Sequence, residues 1–237
     1  MPLLLALAAP VAVIVSIEDL KSVWWTFAIY QVGICLVLPA IESRVKGRSW
    51  REHAQLLGLL GARATVGSDR RNGVRAHLQF AAILGIVTAL VTGAFLVLTR
   101  DRFLDPARLQ VTLATWGVSP GQTTAMLAIM AVLNATAEEL FWRGYFPGRV
   151  TLVQPLAPAA TPIVLPAALY ASYHAVTISH LVGRAGGVVV MTVGVLGAGL
   201  CWGWLRRRTA SVWPALLSHG GAVIAYLAVH VWLTGWR

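Results

Sequence analysis

"HLQFAAILGIVTALVTGAFLVL", residues 77–98, runs 22 residues without a Lys, Arg, Asp or Glu. A bilayer's hydrocarbon core takes about 20 apolar residues of helix at a rise of about 1.5 Å each. The stretch therefore reads as a membrane span, and the same reading extends outward in both directions. Apolar runs at 2–16, 23–41, 121–147, 160–179, 186–205 and 211–233 complete a set of seven expected spans. The expected fold is all-α, a polytopic transmembrane helical bundle of six to eight spans, with additional surface helices. No linker or repeat divides it, so residues 1–237 read as a single integral membrane domain. Within it, 1–118 carry N-terminal spans and a basic loop, and 119–235 form the core.

The composition agrees. Of 237 residues 57% are hydrophobic and only 12% charged, against about a quarter charged in soluble domains. The mean hydropathy is +0.71. A net charge of +10 raises nucleic acid as a partner, but the basic residues sit in the gaps between apolar runs. Anionic headgroups and membrane topology select for that placement, and nucleic-acid binding is not expected. With the N-terminus inside, 13 of the 19 Lys and Arg residues fall on the cytoplasmic side and six outside. This favours a multi-pass cell-membrane protein with its N-terminus in and its C-terminus out. Residues 2–16 lack a basic flank and read as a retained first span, not a cleaved signal. Two further segments, "WREHAQLLGLLGA" (50–62) and "DPARLQVTLATWG" (105–117), read as helices lying on the membrane surface. His53, His180 and His230 read as solvated or interfacial, and Cys35 and Cys201 as small buried hydrophobes.

One span breaks the apolar pattern. "NATAEELFWRGYFPGR" (134–149) places Glu138, Glu139 and Arg143 inside it, where each charge is expensive and commonly marks function. Glu139 and Arg143 are four residues apart and share a helical face, so they pair. Glu138 is turned about 100° away and is left to face elsewhere. Asn134, one turn earlier, shares the face of Glu138. A buried ion pair with a spectator acid is the plain structural alternative.

Two histidines bear on that choice. Measured from the cytoplasmic ends of their spans, Glu138 is about 12–14 Å deep, His174 about 20 Å and His219 about 12 Å. Three ionisable groups on separate spans thus approach one level. A desolvated carboxylate suits a general base for water. Imidazoles can donate to an oxyanion or pass a proton to a leaving amine. The same side chains could instead hold zinc as His₂Glu with an open position, or form a proton relay for transport. The sequence has no HExxH, so a helix-borne zincin site is not supported, and no serine nucleophile elbow is expected.

"EELFWRG" (138–144) resembles the EExxxR motif of the CPBP family, the CAAX-processing and bacteriocin-processing or self-immunity membrane proteins. "YASYH" (170–174) resembles its second motif, FxxxH, with Tyr170 in place of Phe. "RRRTASVWPALLSHGGAV" (206–223) resembles the region carrying its last histidine. The resemblance covers about 120–235 and implies an intramembrane endopeptidase of glutamate or metallo type. It implies that Glu138 activates water beside His174, that His219 stabilises the oxyanion, and that Glu139 and Arg143 shape the site. Where the family commonly carries Asn four residues after the last histidine, this chain has Val223. For Asn134, on the face of Glu138, a buried helix–helix hydrogen bond is the plain expectation, and its amide is a candidate to supply the donor that Val223 lacks.

The leading expectation is hydrolysis of a peptide bond in a membrane-associated peptide or protein, with the lipid bilayer as the other partner. No tightly bound cofactor is expected; if zinc is present, Glu138, His174 and His219 are its ligands. A proteolytically inactive scaffold or immunity protein and a proton-coupled transporter are the competing readings.

Overall fold

The computed structural model describes residues 2–60, 69–148 and 161–235. The described residues are predominantly helical, joined by short turns, with one isolated bridge between Leu104 and Val182. In chain order the helices are α1 (Pro2–Ile14), α2 (Val23–Val45), α3 (Trp50–Leu56), α4 (Asp69–Phe103) and α5 (Pro106–Thr115). They continue with α6 (Ala125–Gly148), α7 (Thr161–Leu181), α8 (Ala185–Thr209) and α9 (Trp213–Thr234). The protein is an all-α membrane bundle.

Five helical stretches among the described residues are long and apolar enough to cross a membrane: α2, Leu78–Phe103 of α4, α6, α8 and α9. The other two expected spans are helices as well. The first is shorter, and α7 owes its lower hydropathy to Tyr170, Ser172, Tyr173, His174 and Thr177. The segment 61–68, assigned to the basic loop, lies outside the described residues.

Burial divides the spans by task. Outward residues of α4, such as Ile83, Ile86, Leu90, Val91 and Leu98, are exposed, as a lipid-facing helix requires. The core instead gathers aromatic side chains of α2, α6 and α7, including Tyr30, Phe141, Trp142, Tyr145, Tyr170 and Tyr173. α6 is wound unevenly: π-helical turns at Met130–Asn134 and Leu140–Tyr145 flank a single α-helical turn, Ala135–Glu139. In α2 the π-helical run covers Thr26–Val37. Such widened turns are rare and concentrate at functional places.

The tightest helix contact joins α4 to α9. A Cβ built on Gly221 would lie 2.1 Å from the Gly85 carbonyl oxygen, and one on Gly85 would lie 2.8 Å from the Leu217 carbonyl oxygen. Small residues allow such backbone approach where lipid supplies no hydrophobic force between helices. Beside it the Thr88 and Ser218 hydroxyls are 2.8 Å apart. Gly221→Ala should therefore force the helices apart, an overpacking cost of about 1–3 kcal/mol. Its thermal midpoint in detergent should fall by roughly 5–10 °C. Gly220→Ala, which meets nothing within 4 Å, is the control and should be near neutral.

The surface helix expected over 50–62 is only partly formed over the described residues 50–60, and 61–62 lie outside them. Ser49 and Glu52 form a reciprocal capping box that starts α3, but the helix stops at Leu56, and Gly58 adopts a φ of +79°. The chain then docks onto the bundle. The Gly58 carbonyl accepts from Val212 N at 3.1 Å, and the Leu59 carbonyl accepts from Trp213 Nε1 at 2.9 Å. Leu57 is buried against Gly144, whose Cβ, were there one, would lie 2.9 Å from the Leu57 oxygen. His53, expected to be solvated, is buried, and burial, with Arg48 adding to it, lowers its pKa. His230, expected near an interface, is buried in α9.

At the opposite end Glu18 meets His180 Nε2 at 2.6 Å and Lys21 at 3.6 Å. The hydrogen bond from His180 is the main cause that holds the Glu18 carboxyl below its ordinary value of 4.5. A depressed carboxyl stabilises the fold above the unfolded value and loses that contribution as pH falls through the folded one. The thermal midpoint of wild type should thus exceed that of Glu18→Gln at neutral pH. The gap should close below pH 4.5, and a gap that persists there would remove the pair from the account.

Candidate active site

The charged trio of α6 is buried, and its two acids have different partners. Arg143 Nη1 donates to Glu139 Oε1 at 2.8 Å, with both side chains almost wholly out of solvent. That is the pairing expected from their spacing. The same oxygen accepts from His219 Nδ1 at 3.0 Å. Glu139 therefore joins a cation of its own helix to an imidazole of α9, a second role that spacing along one helix does not reveal.

The guanidinium is boxed by aromatic rings. It lies 4.5 Å from the Tyr170 ring centroid and 5.0 Å from that of Trp202, contacts that stabilise a desolvated cation. Gly199 of α8 makes room for it, because a Cβ there would sit 3.1 Å from Arg143 Nη2 and 3.2 Å from Ala167 Cβ. The Gly199/Gly203 pair packs α8 against α7 at Ala167 and Ile163, which matches the small-residue spacing in the sequence.

His219 is held on three sides. Its ring stacks on Trp202 at 4.6 Å, and Trp202 Nε1 donates to Ser218 Oγ at 3.0 Å. Because Nδ1 faces a carboxylate, it carries a proton, and Nε2 is directed away from Glu139. There it meets Tyr170 Oη at 3.3 Å and Glu138 Oε2 at 3.8 Å. The second distance is too long for a direct hydrogen bond and short enough for one water to bond both atoms.

Glu138 is 2% exposed, and its Oε2 has no hydrogen-bond partner among the described residues. Tyr170 and Tyr173 interact with the same side chain. His174 is half-buried between these tyrosines, its ring 4.3 Å from Tyr170 and 4.4 Å from Tyr173. Its Nδ1 donates to the Tyr170 carbonyl of its own helix at 2.8 Å, leaving Nε2 as the ring atom available to another group.

Asn134 lies on the Glu138 side of α6, and its Oδ1 accepts from Gln31 Nε2 of α2 at 2.9 Å. That is a helix–helix hydrogen bond that leaves the Asn134 NH₂ group as a donor. Val223 packs with Ala135 and Leu227 in a small apolar cluster, so this position offers no donor. Among the described residues no three His, Cys, Asp or Glu side chains group closely enough to hold a metal ion.

Tyr170, Tyr173, Trp202 and Ser218 also belong to this cluster, yet charge patterning does not single them out. The signal for two of them is the spacing in "YASYH", where Tyr170 and Tyr173 are three residues apart and so share one face of a span.

Residues 120–225 match a family model described as Rce1-like: Type II CAAX prenyl endopeptidase Rce1-like. No curated protein and no solved structure matches the chain.

Proposed function

Since residues 120–225 match the CPBP/CAAX protease family, we propose that the chain hydrolyses a peptide bond of a membrane-associated substrate with a water activated by Glu138. The family supports an intramembrane CAAX endopeptidase. The observation that carries the finer reading is the pairing of two buried groups, Glu138 Oε2 and His219 Nε2, separated by 3.8 Å. One water bonded to both atoms would be held beside a base and an imidazole.

The steps use protein groups and water alone. Glu138 takes a proton as the water oxygen bonds to the scissile carbonyl carbon, and the carbonyl π electrons move onto its oxygen. The resulting oxyanion accepts a hydrogen bond from Tyr170 Oη, and His219 Nε2, 3.3 Å from that hydroxyl, lies beside it. The C–N bond then breaks, and the amine takes the proton that Glu138 carries, directly or through His174 Nε2. The products are a free amine and a carboxylic acid that ionises, while Glu138 returns to a carboxylate. Arg143 holds Glu139 in place through the 2.8 Å contact between Nη1 and Oε1. The Asn134 NH₂ is a further candidate donor to the oxyanion.

On the topology inferred from the basic residues, the site opens toward the cytoplasm. A prenylated CAAX tail is the substrate class that best fits the matched family. The test is purified protein in liposomes, offered farnesylated CAAX peptides, leader peptides and single-span proteins. Release of a defined C-terminal fragment is expected. A folded protein that cuts none of these substrates would return the chain to the scaffold reading.

A further inference from the structure

Tyr30 lies outside the matched segment, on the π-helical part of α2, and is fully buried. Its hydroxyl is 2.6 Å from Tyr173 Oη and accepts from Trp142 Nε1 at 2.9 Å. An indole N–H only donates, so the direction of that bond is settled. Tyr30 must then place its own proton elsewhere. The neighbouring acceptors are Tyr173 Oη and the buried thiol of Cys35, about one π turn further along α2, and sulfur is a weak acceptor. Tyr173 in turn interacts with Glu138, which as a carboxylate only accepts. One arrangement uses every proton: Trp142 N–H to Tyr30, Tyr30 O–H to Tyr173, and Tyr173 O–H to Glu138.

We propose that Tyr30 is a positioning residue for Glu138, acting through Tyr173 to orient the carboxylate so that Oε2 faces His219. The inference rests on the hydrolase reading for its catalytic consequence, while its structural content stands apart from it. Chained donors polarise one another in a buried setting, and the chain leaves α6 at Trp142, passes through Tyr30 of α2 and Tyr173 of α7, and returns to α6 at Glu138. The N-terminal half of the protein thereby supplies part of the site. Gln31, the next residue, makes its own bond to Asn134 of α6, so two consecutive side chains of α2 reach the helix that bears Glu138.

The decisive variant is Tyr30→Phe, which removes one oxygen and keeps the ring. In the peptidase assay kcat should fall about tenfold to hundredfold with KM unchanged, the cost of a misplaced reacting group. An activity-independent readout accompanies it. The infrared band of the Glu138 carboxyl group, isolated as the difference between wild type and Glu138→Gln, should shift in the Tyr30→Phe background. A band that does not move overturns the proposal whatever the kinetics, and so does a wild-type kcat. If wild type cleaves nothing, the hydrolase reading fails on its own and the band alone decides the positioning role. Should Tyr30→Phe fail to accumulate, Tyr173→Phe breaks the same chain one link closer to Glu138 and is read by the same band.

Discussion

Glu138→Gln should abolish peptide release while leaving the folded yield and thermal midpoint close to wild type. The substitution keeps the shape of the side chain and an acceptor oxygen, and it removes the ability to take a proton from water. A general base contributes about 10²–10⁴ in rate, so turnover should drop by at least that factor. The fold should tolerate the change because the short ion pair of α6 belongs to Glu139, which holds Arg143 at 2.8 Å, whereas Glu138 stands 3.8 Å from His219. The neutral amide even spares the cost of burying a charge. Size-exclusion profiles and melting curves check the fold, and product release in liposomes checks the chemistry. Retained cleavage by Glu138→Gln would remove this residue from the mechanism.

Glu139→Ala should do the reverse, striking the fold first. It leaves the Arg143 guanidinium buried without its carboxylate and frees His219 Nδ1 from its acceptor. Breaking a buried pair on one side costs about 3–5 kcal/mol, a large share of what holds a domain of this size together. Folded yield should fall sharply, with the Tyr170 and Trp202 rings offsetting part of the loss. Replacing both partners, as in Glu139→Gln with Arg143→Met, removes the lone charge and should recover much of the stability. Activity should stay lost, because His219 then has no carboxylate to hold its proton on Nδ1. A double variant that regains both properties would show that Glu139 has no role beyond pairing with Arg143.

The contrast between neighbouring acids marks what a sequence can disclose here. The spans follow from run length, since about 20 apolar residues have one economical arrangement in a bilayer. The Glu139–Arg143 pair follows from their separation by one helical turn. Their link to His219 does not, because it depends on how α6 and α9 cross, and crossing is set by side chains far from the motif. Gly85 and Gly221 are such residues, and nothing in their local sequence names them as partners. The stop of α3 at Leu56 was hidden for a related reason. Leu57, Leu59 and Leu60 continue an apolar pattern, and only the docking of Gly58 and Leu59 onto α9 shows where the helix must end. The contribution of α2 was legible only in part. Tyr30 and Gln31 are conspicuous polar side chains in an apolar span, but a regular helix would splay Tyr30 and Cys35 apart. Widened π turns bring residues four to five apart toward one face.

The Gly85–Gly221 contact bears on how a greasy substrate enters. With one backbone resting on the other, that wall of the barrel of rods is sealed, and no acyl chain threads it without prying two main chains apart. A lipid-borne tail of the kind proposed above would arrive through some other doorway, and cross-links that lock α4 to α9 should leave its passage untouched.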